Sequence, residues 1–75
     1  MVDYKKIITI EAGKRGGKPC IRGMRITVYD ILSGLASGMS NSEILDDYPE
    51  LNSDDILTAL SYAADRERSI YQVAV

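Results

Sequence analysis

Hydrophobic spacing along the chain changes character near residue 27. Ahead of it, apolar residues come in short, β-branched runs. Lys5-Lys6-Ile7-Ile8-Thr9-Ile10 predicts a strand, and lysines at its start suit an edge, where charge discourages further pairing. Residues 11–17 read as a loop from their glycines and charges. Lys18-Pro19-Cys20-Ile21 predicts a second extended piece, because Pro19 biases Lys18 away from helix and offers no amide hydrogen to a central strand. Gly23 predicts a turn, and Arg25-Ile26 leads into a helix.

Beyond residue 27 the period becomes helical. Thr27 is the expected N-cap of a first helix, with Asp30 three residues on in a variant capping box. Val28, Ile31, Leu32 and Leu35 fall at i, i+3, i+4 and i+7, one apolar face. Gly34 interrupts that helix at a cost in propensity, so close packing is expected there. Gly38 is placed to end it in the left-handed conformation. Ser40-Asn41-Ser42-Glu43 is a capping box for a second helix, with Met39 as staple, an apolar side of Ile44, Leu45 and Tyr48, and Pro49 as its stop. The third helix is expected to start at Asn52 or Ser53, with Asp54 and Asp55 complementing its dipole. Ile56, Ala59, Leu60 and Ala63 make its apolar face, Leu57 and Ala64 widen it, and Arg66 and Arg68 lie near its end. Tyr71, Val73 and Val75 then alternate, which predicts a terminal strand or a frayed end.

These elements predict an α+β fold that is mostly α: a three-helix core with a short N-terminal β-strand or hairpin. The chain reads as a single domain over 1–75, with a β element and basic turn at 5–26, the helical core at 27–67 and a tail at 68–75. A short second helix, a brief connection through Pro49-Glu50-Leu51 and a longer third helix, supported by the first, make a helix-turn-helix pattern.

Length sharpens this picture. A chain of 75 residues buries only ~60% of the surface it exposes when unfolded. Such domains often add disulfides, a metal or a second subunit. One cysteine and no histidine exclude an internal disulfide and offer no zinc ligand set, so a homodimer is expected. No apolar leader or membrane span is visible, and a lone cysteine fits a reducing compartment, which together predict a cytoplasmic protein. No cofactor and no small-molecule substrate are expected.

Charge is divided. Residues 1–29 hold seven basic and two acidic side chains, a net of +5; residues 30–75 hold two basic and nine acidic ones, a net of −7. A basic end can meet a polyanion and an acidic end a basic protein, or the two can neutralise each other within a chain or across a dimer. Lys14, Arg15, Lys18, Arg22 and Arg25 are the candidates for phosphate contacts, with Asn52 and Ser53 as candidates to reach bases from the third helix. Asn52 and Ser53 are equally well explained as caps. Asp54 and Asp55 beside them oppose DNA, and no arginine or lysine waits there to read guanine. Asp46, Asp47, Asp54 and Asp55 are the candidates for a protein partner. As adjacent pairs on helices they point to different sides and do not make a hydrolytic carboxylate pair.

The densest stretch is Gly16-Gly17-Lys18-Pro19-Cys20-Ile21-Arg22-Gly23-Met24-Arg25-Ile26-Thr27. Its Gly-Lys fails the phosphate-loop spacing, and proline follows the lysine where serine or threonine is needed. Cys20 has no histidine to act as its base and reads as a buried structural thiol. Two readings of the stretch stay open. It is a basic or partner-binding loop, or it is a connector whose arginines bond carbonyls and acids such as Asp30, Asp46, Asp47 or Glu50.

The blocks Gly17-Lys18-Pro19-Cys20-Ile21-Arg22-Gly23, Arg25-Ile26 and Asp46-Asp47-Tyr48-Pro49-Glu50-Leu51 closely resemble the bacterial domain-of-unknown-function 433 family. The likeness runs from about residue 5 to 67 without a gap. Met24 stands where the family commonly has threonine, which removes a hydroxyl from the turn, and Thr27 where it commonly has proline. The resemblance implies a homeodomain-like helix-turn-helix with an N-terminal β element, and an antitoxin role beside a PIN-like nuclease. The expected function is a non-catalytic antitoxin-like regulator that binds such a nuclease and its own operator DNA; the alternative is a protein-interaction module of the same fold without DNA binding.

Overall fold

Each helix of the protein starts where a side chain can take over orphaned backbone donors. A computed structural model describes the backbone of residues 6–74 and the side chains of residues 6–68. The described residues form β1 (Ile8–Thr9), a 3-10 turn (Arg15–Gly17), β2 (Cys20–Ile21), α1 (Val28–Ala36), α2 (Asn41–Asp47) and α3 (Ser53–Ala74). Thr27 and Asp30 close a reciprocal capping box on α1, and Ser40 and Glu43 close one on α2. The third box was less visible in the sequence. Asn52 Oδ1 accepts from the Asp55 N–H at 3.0 Å, and the Asp55 carboxylate accepts from the Asn52 N–H at 2.9 Å. Asn52 is therefore the cap, and Ser53 is the first helical residue.

Helix α1 ends in a Schellman motif. The Met39 N–H reaches the Gly34 carbonyl at 3.1 Å and the Gly38 N–H the Leu35 carbonyl at 3.0 Å. Gly38 adopts φ +99°, as the left-handed cap requires. Gly34 is where α1 and α2 touch: a Cβ there would collide with the Ile44 side chain and sit 3.3 Å from Met39 Sδ. The glycine thus trades helix propensity for close packing, as its position predicts.

The sheet is an antiparallel pair with Ile8 opposite Ile21 and Thr9 opposite Cys20. From β2 the chain turns back at once. The Met24 N–H bonds the Ile21 carbonyl, the Ile21 N–H bonds the Ile26 carbonyl and the Val28 N–H bonds the Pro19 carbonyl. Residues 19–28 are thereby a closed connector that delivers the chain to α1. Met24 packs partly buried against the core, so the side chain without a hydroxyl contributes apolar contact in the turn. The core joins Ile8 and Ile21 of the sheet to Val28 and Ile31 of α1, Ile44 of α2, and Ile56, Ala59 and Tyr62 of α3. Cys20 is buried and free.

Two expectations are corrected. The alternation of Tyr71 and Val73 does not make a strand: α3 runs on through Ala74, while Val75 lies outside the described residues. Alternation over so few positions is too short to overrule a helix already under way. The apolar face of α3 also turns. Tyr62 is buried, whereas Leu60 is 42% and Leu57 51% exposed. The buried cap partner Asp55 and the buried Thr58 pull the core-facing side of the helix round towards residues 55, 58, 59 and 62.

Candidate interaction surface

The charged residues between β1 and α1 are organised by backbone shape. Arg15 and Arg22 adopt left-handed φ values of 50° and 46°, which side chains other than glycine rarely take. Both are held there by their guanidinium groups. Arg22 Nη1 donates to the buried Asp55 carboxylate and Nη2 to the Glu50 carbonyl at 3.0 Å. Arg15 Nη1 donates to the Arg25 carbonyl at 2.6 Å and to Asp30 Oδ2 at 3.2 Å. Lys14 Nζ bonds Glu11 Oε2 at 3.1 Å and the Gly23 carbonyl.

Of the nucleic-acid candidates, Lys14, Arg15 and Arg22 are thus committed to internal bonds, and Asn52 to a cap. Lys18 is exposed with its ammonium 5.4 Å from the Tyr29 ring centroid, and Arg25 and Ser53 are exposed. The structure does not gather the five cations into one free patch. Arg22 reaches Asp55 and the Glu50 backbone rather than Asp46, Asp47 or the Glu50 carboxylate.

Among the partner candidates Asp55 is corrected. It is 1% exposed and serves as both counter-ion and cap partner, so no partner can reach it. Asp46, Asp47 and Asp54 are exposed, and Glu50 in the α2–α3 turn joins them. Among the described residues none of the ion pairs reaches these four carboxylates. No lysine or arginine occurs between residues 26 and 65 to offset them. Glu43 is separate: bonds from the Ser40 backbone N–H and then the Ser40 side chain hold its carboxyl below its ordinary value.

Between α1 and α2 runs an open groove of about 290 Å³, lined by Tyr29, Gly34, Asp47 and Tyr48 among others. Carboxylate and aromatic walls suit a guanidinium or ammonium group. Tyr29, 64% exposed, was missed in the sequence. Its one signal is position: it lies between Val28 and Asp30, off the apolar face of α1. Among the described residues no group of three or more His, Cys, Asp or Glu side chains is placed to hold a metal ion. None of the described helices is long and apolar enough to cross a membrane.

The protein is a small α+β domain in which a two-stranded sheet and a polar connector brace three helices, with an acidic surface on the helical side. Residues 8–63 match the family described as "Protein of unknown function (DUF433)", and the chain belongs to that family. It is 36% identical over 59 residues to "Uncharacterized protein y4eO" of Sinorhizobium fredii (strain NBRC 101917 / NGR234). That match covers 79% of this chain and 27% of the relative, so the chain spans about a quarter of the relative's length. The crystal structure of a DUF433 member from Anabaena variabilis ATCC 29413 superposes with a TM-score of 0.79 at 29% identity, covering 91% of this chain and 67% of that one.

Proposed function

We propose that this protein is a non-catalytic, antitoxin-like regulator that works by binding another protein, a PIN-like nuclease with a basic segment. The carrying observation is the groove between α1 and α2, walled by Tyr29, Tyr48 and Asp47, on a surface where Asp46, Glu50 and Asp54 are also exposed. A basic partner segment would place an arginine or lysine against Asp47 and the tyrosine rings. Operator binding is the weaker half of the reading. The guanidinium groups of Arg15 and Arg22 are engaged by Asp30 and Asp55, and the exposed Ser53 that opens α3 sits beside the exposed carboxylate of Asp54, which opposes phosphate.

Two titrations of the full chain at low salt, where electrostatics are strongest, test this reading. An arginine-rich peptide is expected to bind, and Asp47→Lys to weaken it about tenfold. Duplex DNA is expected to bind more weakly than the peptide. Tight DNA retardation together with indifference to the peptide would reverse the order of the two readings. Co-expression with a PIN-like nuclease encoded beside the protein tests the antitoxin role itself: nuclease toxicity should be suppressed by wild type and not by Asp47→Lys.

A further inference from the structure

Helix α3 carries a second surface, on the side turned away from the core. At 100° per residue, Asp54, Leu57, Leu60, Ser61, Ala64 and Arg68 fall on one stripe, opposite the side that buries Asp55, Ala59 and Tyr62. Leu57 and Leu60 are 51% and 42% exposed, which is unusual for two leucines one turn apart on a small domain. Ser61 and Ala64, next along the stripe, are small, which lets another helix approach closely. The stripe is capped by opposite charges: exposed Asp54 at its start and Arg68, 69% exposed and 3.5 Å from Asp65, at its end.

We propose that this stripe docks a second copy of the chain, α3 against α3 and antiparallel, with the two-fold axis at Ser61. Asp54 and Arg68 lie equally far from Ser61 on either side, seven residues each way. Antiparallel pairing about that residue sets Asp54 of each protomer level with Arg68 of the other, and places the leucines and small residues between the two ion pairs. An isologous contact of this kind satisfies both ends of the stripe with one geometry. A parallel pairing would oppose like charges. None of the stripe's residues lines the α1–α2 groove, so the proposal rests on residues separate from those of the partner reading above.

Sedimentation equilibrium of the full chain measures the pairing, with circular dichroism confirming that each variant is folded. Wild type should dimerise below about 1 mM. Asp54→Arg and Arg68→Asp, each placing like charges across the axis twice, should weaken the dimer about tenfold apiece. The double swap Asp54→Arg with Arg68→Asp should recover to within about threefold of wild type, since it restores opposite charges across the same axis. Leu57→Lys, at an exposed position, should give a folded monomer. A wild-type monomer at about 1 mM, a dimer indifferent to the single swaps, or a double swap no better than the singles would each overturn the assignment.

Discussion

Between β1 and α1 the protein ties three of its five cations into internal bonds; along α2 and into the start of α3 it leaves four carboxylates facing solvent. In the first region Lys14, Arg15 and Arg22 all bond backbone carbonyls, and each also holds a carboxylate: Glu11, Asp30 and Asp55. In the second, Asp46, Asp47, Glu50 and Asp54 face solvent. The sequence halves differ by +5 and −7, but the surfaces differ in another way. In the basic half Lys14, Arg15 and Arg22 are engaged in internal ion pairs around the buried Cys20, Ile21 and Ile26, and among the described residues the exposed Lys6, Lys18 and Arg25 are the cations outside those pairs. In the acidic half Asp46, Asp47, Glu50 and Asp54 take part in none of the described ion pairs, whereas Glu43 serves as the cap partner of α2. A charge imbalance in a sequence therefore reports a binding surface only after the internally satisfied groups are removed from it.

The contrast is broken most severely at Arg22. Arg22→Ala leaves the Asp55 carboxylate buried without its cation; because Arg22 itself is 38% exposed, the cost is about 2–3 kcal/mol, below that of a fully buried pair. That is a large share of the stability of a domain this size. Asp55→Ala should cost a similar amount, because it also removes the reciprocal cap of α3. Arg22→Gly separates the two roles of the residue. It loses the same ion pair but accepts φ 46° without strain, so it should be more stable than Arg22→Ala by about 0.5–1 kcal/mol. Urea unfolding midpoints of the three variants give the order. Equal midpoints for Ala and Gly would mean the left-handed backbone carries no cost.

A middle-sized effect is expected at Arg15. Its pair with Asp30 is partly open to water, with side chains 34% and 18% exposed, so Arg15→Ala should cost about 1 kcal/mol, mostly through the lost bond to the Arg25 carbonyl. Asp46→Lys and Asp47→Lys, on the other region, should each shift stability by no more than about 0.5 kcal/mol. Thermal midpoints measured side by side test the comparison directly. If the two aspartate variants matched Arg15→Ala, the acids would be structural after all.

Much of the fold was legible because its signals are local. The boxes at Thr27 and Ser40, the stop at Pro49 and the cap at Gly38 each lie within a few residues of what they bond. The edge strand announced itself through Ile7, Ile8 and Thr9. What was not legible is long-range. Arg22 and Asp55 are 33 residues apart, and nothing in spacing chooses Asp55 over Asp46 or Asp47. The facing of α3 escaped for a related reason: Leu57 and Leu60 count as core in any apolar tally. Only the tertiary demand to bury Asp55 and Thr58 turns them out. The acidic surface was half visible, since composition located it but could not remove Asp55 from it.

The smallest effect lies at the start of α2, where one surface acid has a structural bond. Glu43 is fully exposed, yet the Ser40 backbone N–H donates to Glu43 Oε1 at 2.8 Å and favours the charged carboxylate. Its folded value therefore lies below its ordinary value of 4.5, and the sign follows. The bond contributes in full above 4.5 and is lost as pH falls through the lowered value, because the unfolded chain takes up the proton first. The difference in stability between wild type and Glu43→Gln should accordingly shrink as pH is lowered through that window. A carboxyl titration followed by NMR should place Glu43 below its ordinary value in wild type. In Ser40→Ala the value should move back only in part, since the backbone donor, the larger cause, survives the substitution. A complete return would assign the effect to the serine hydroxyl instead. No change at all would leave the backbone N–H as the sole source and make the second half of the capping box electrostatically silent.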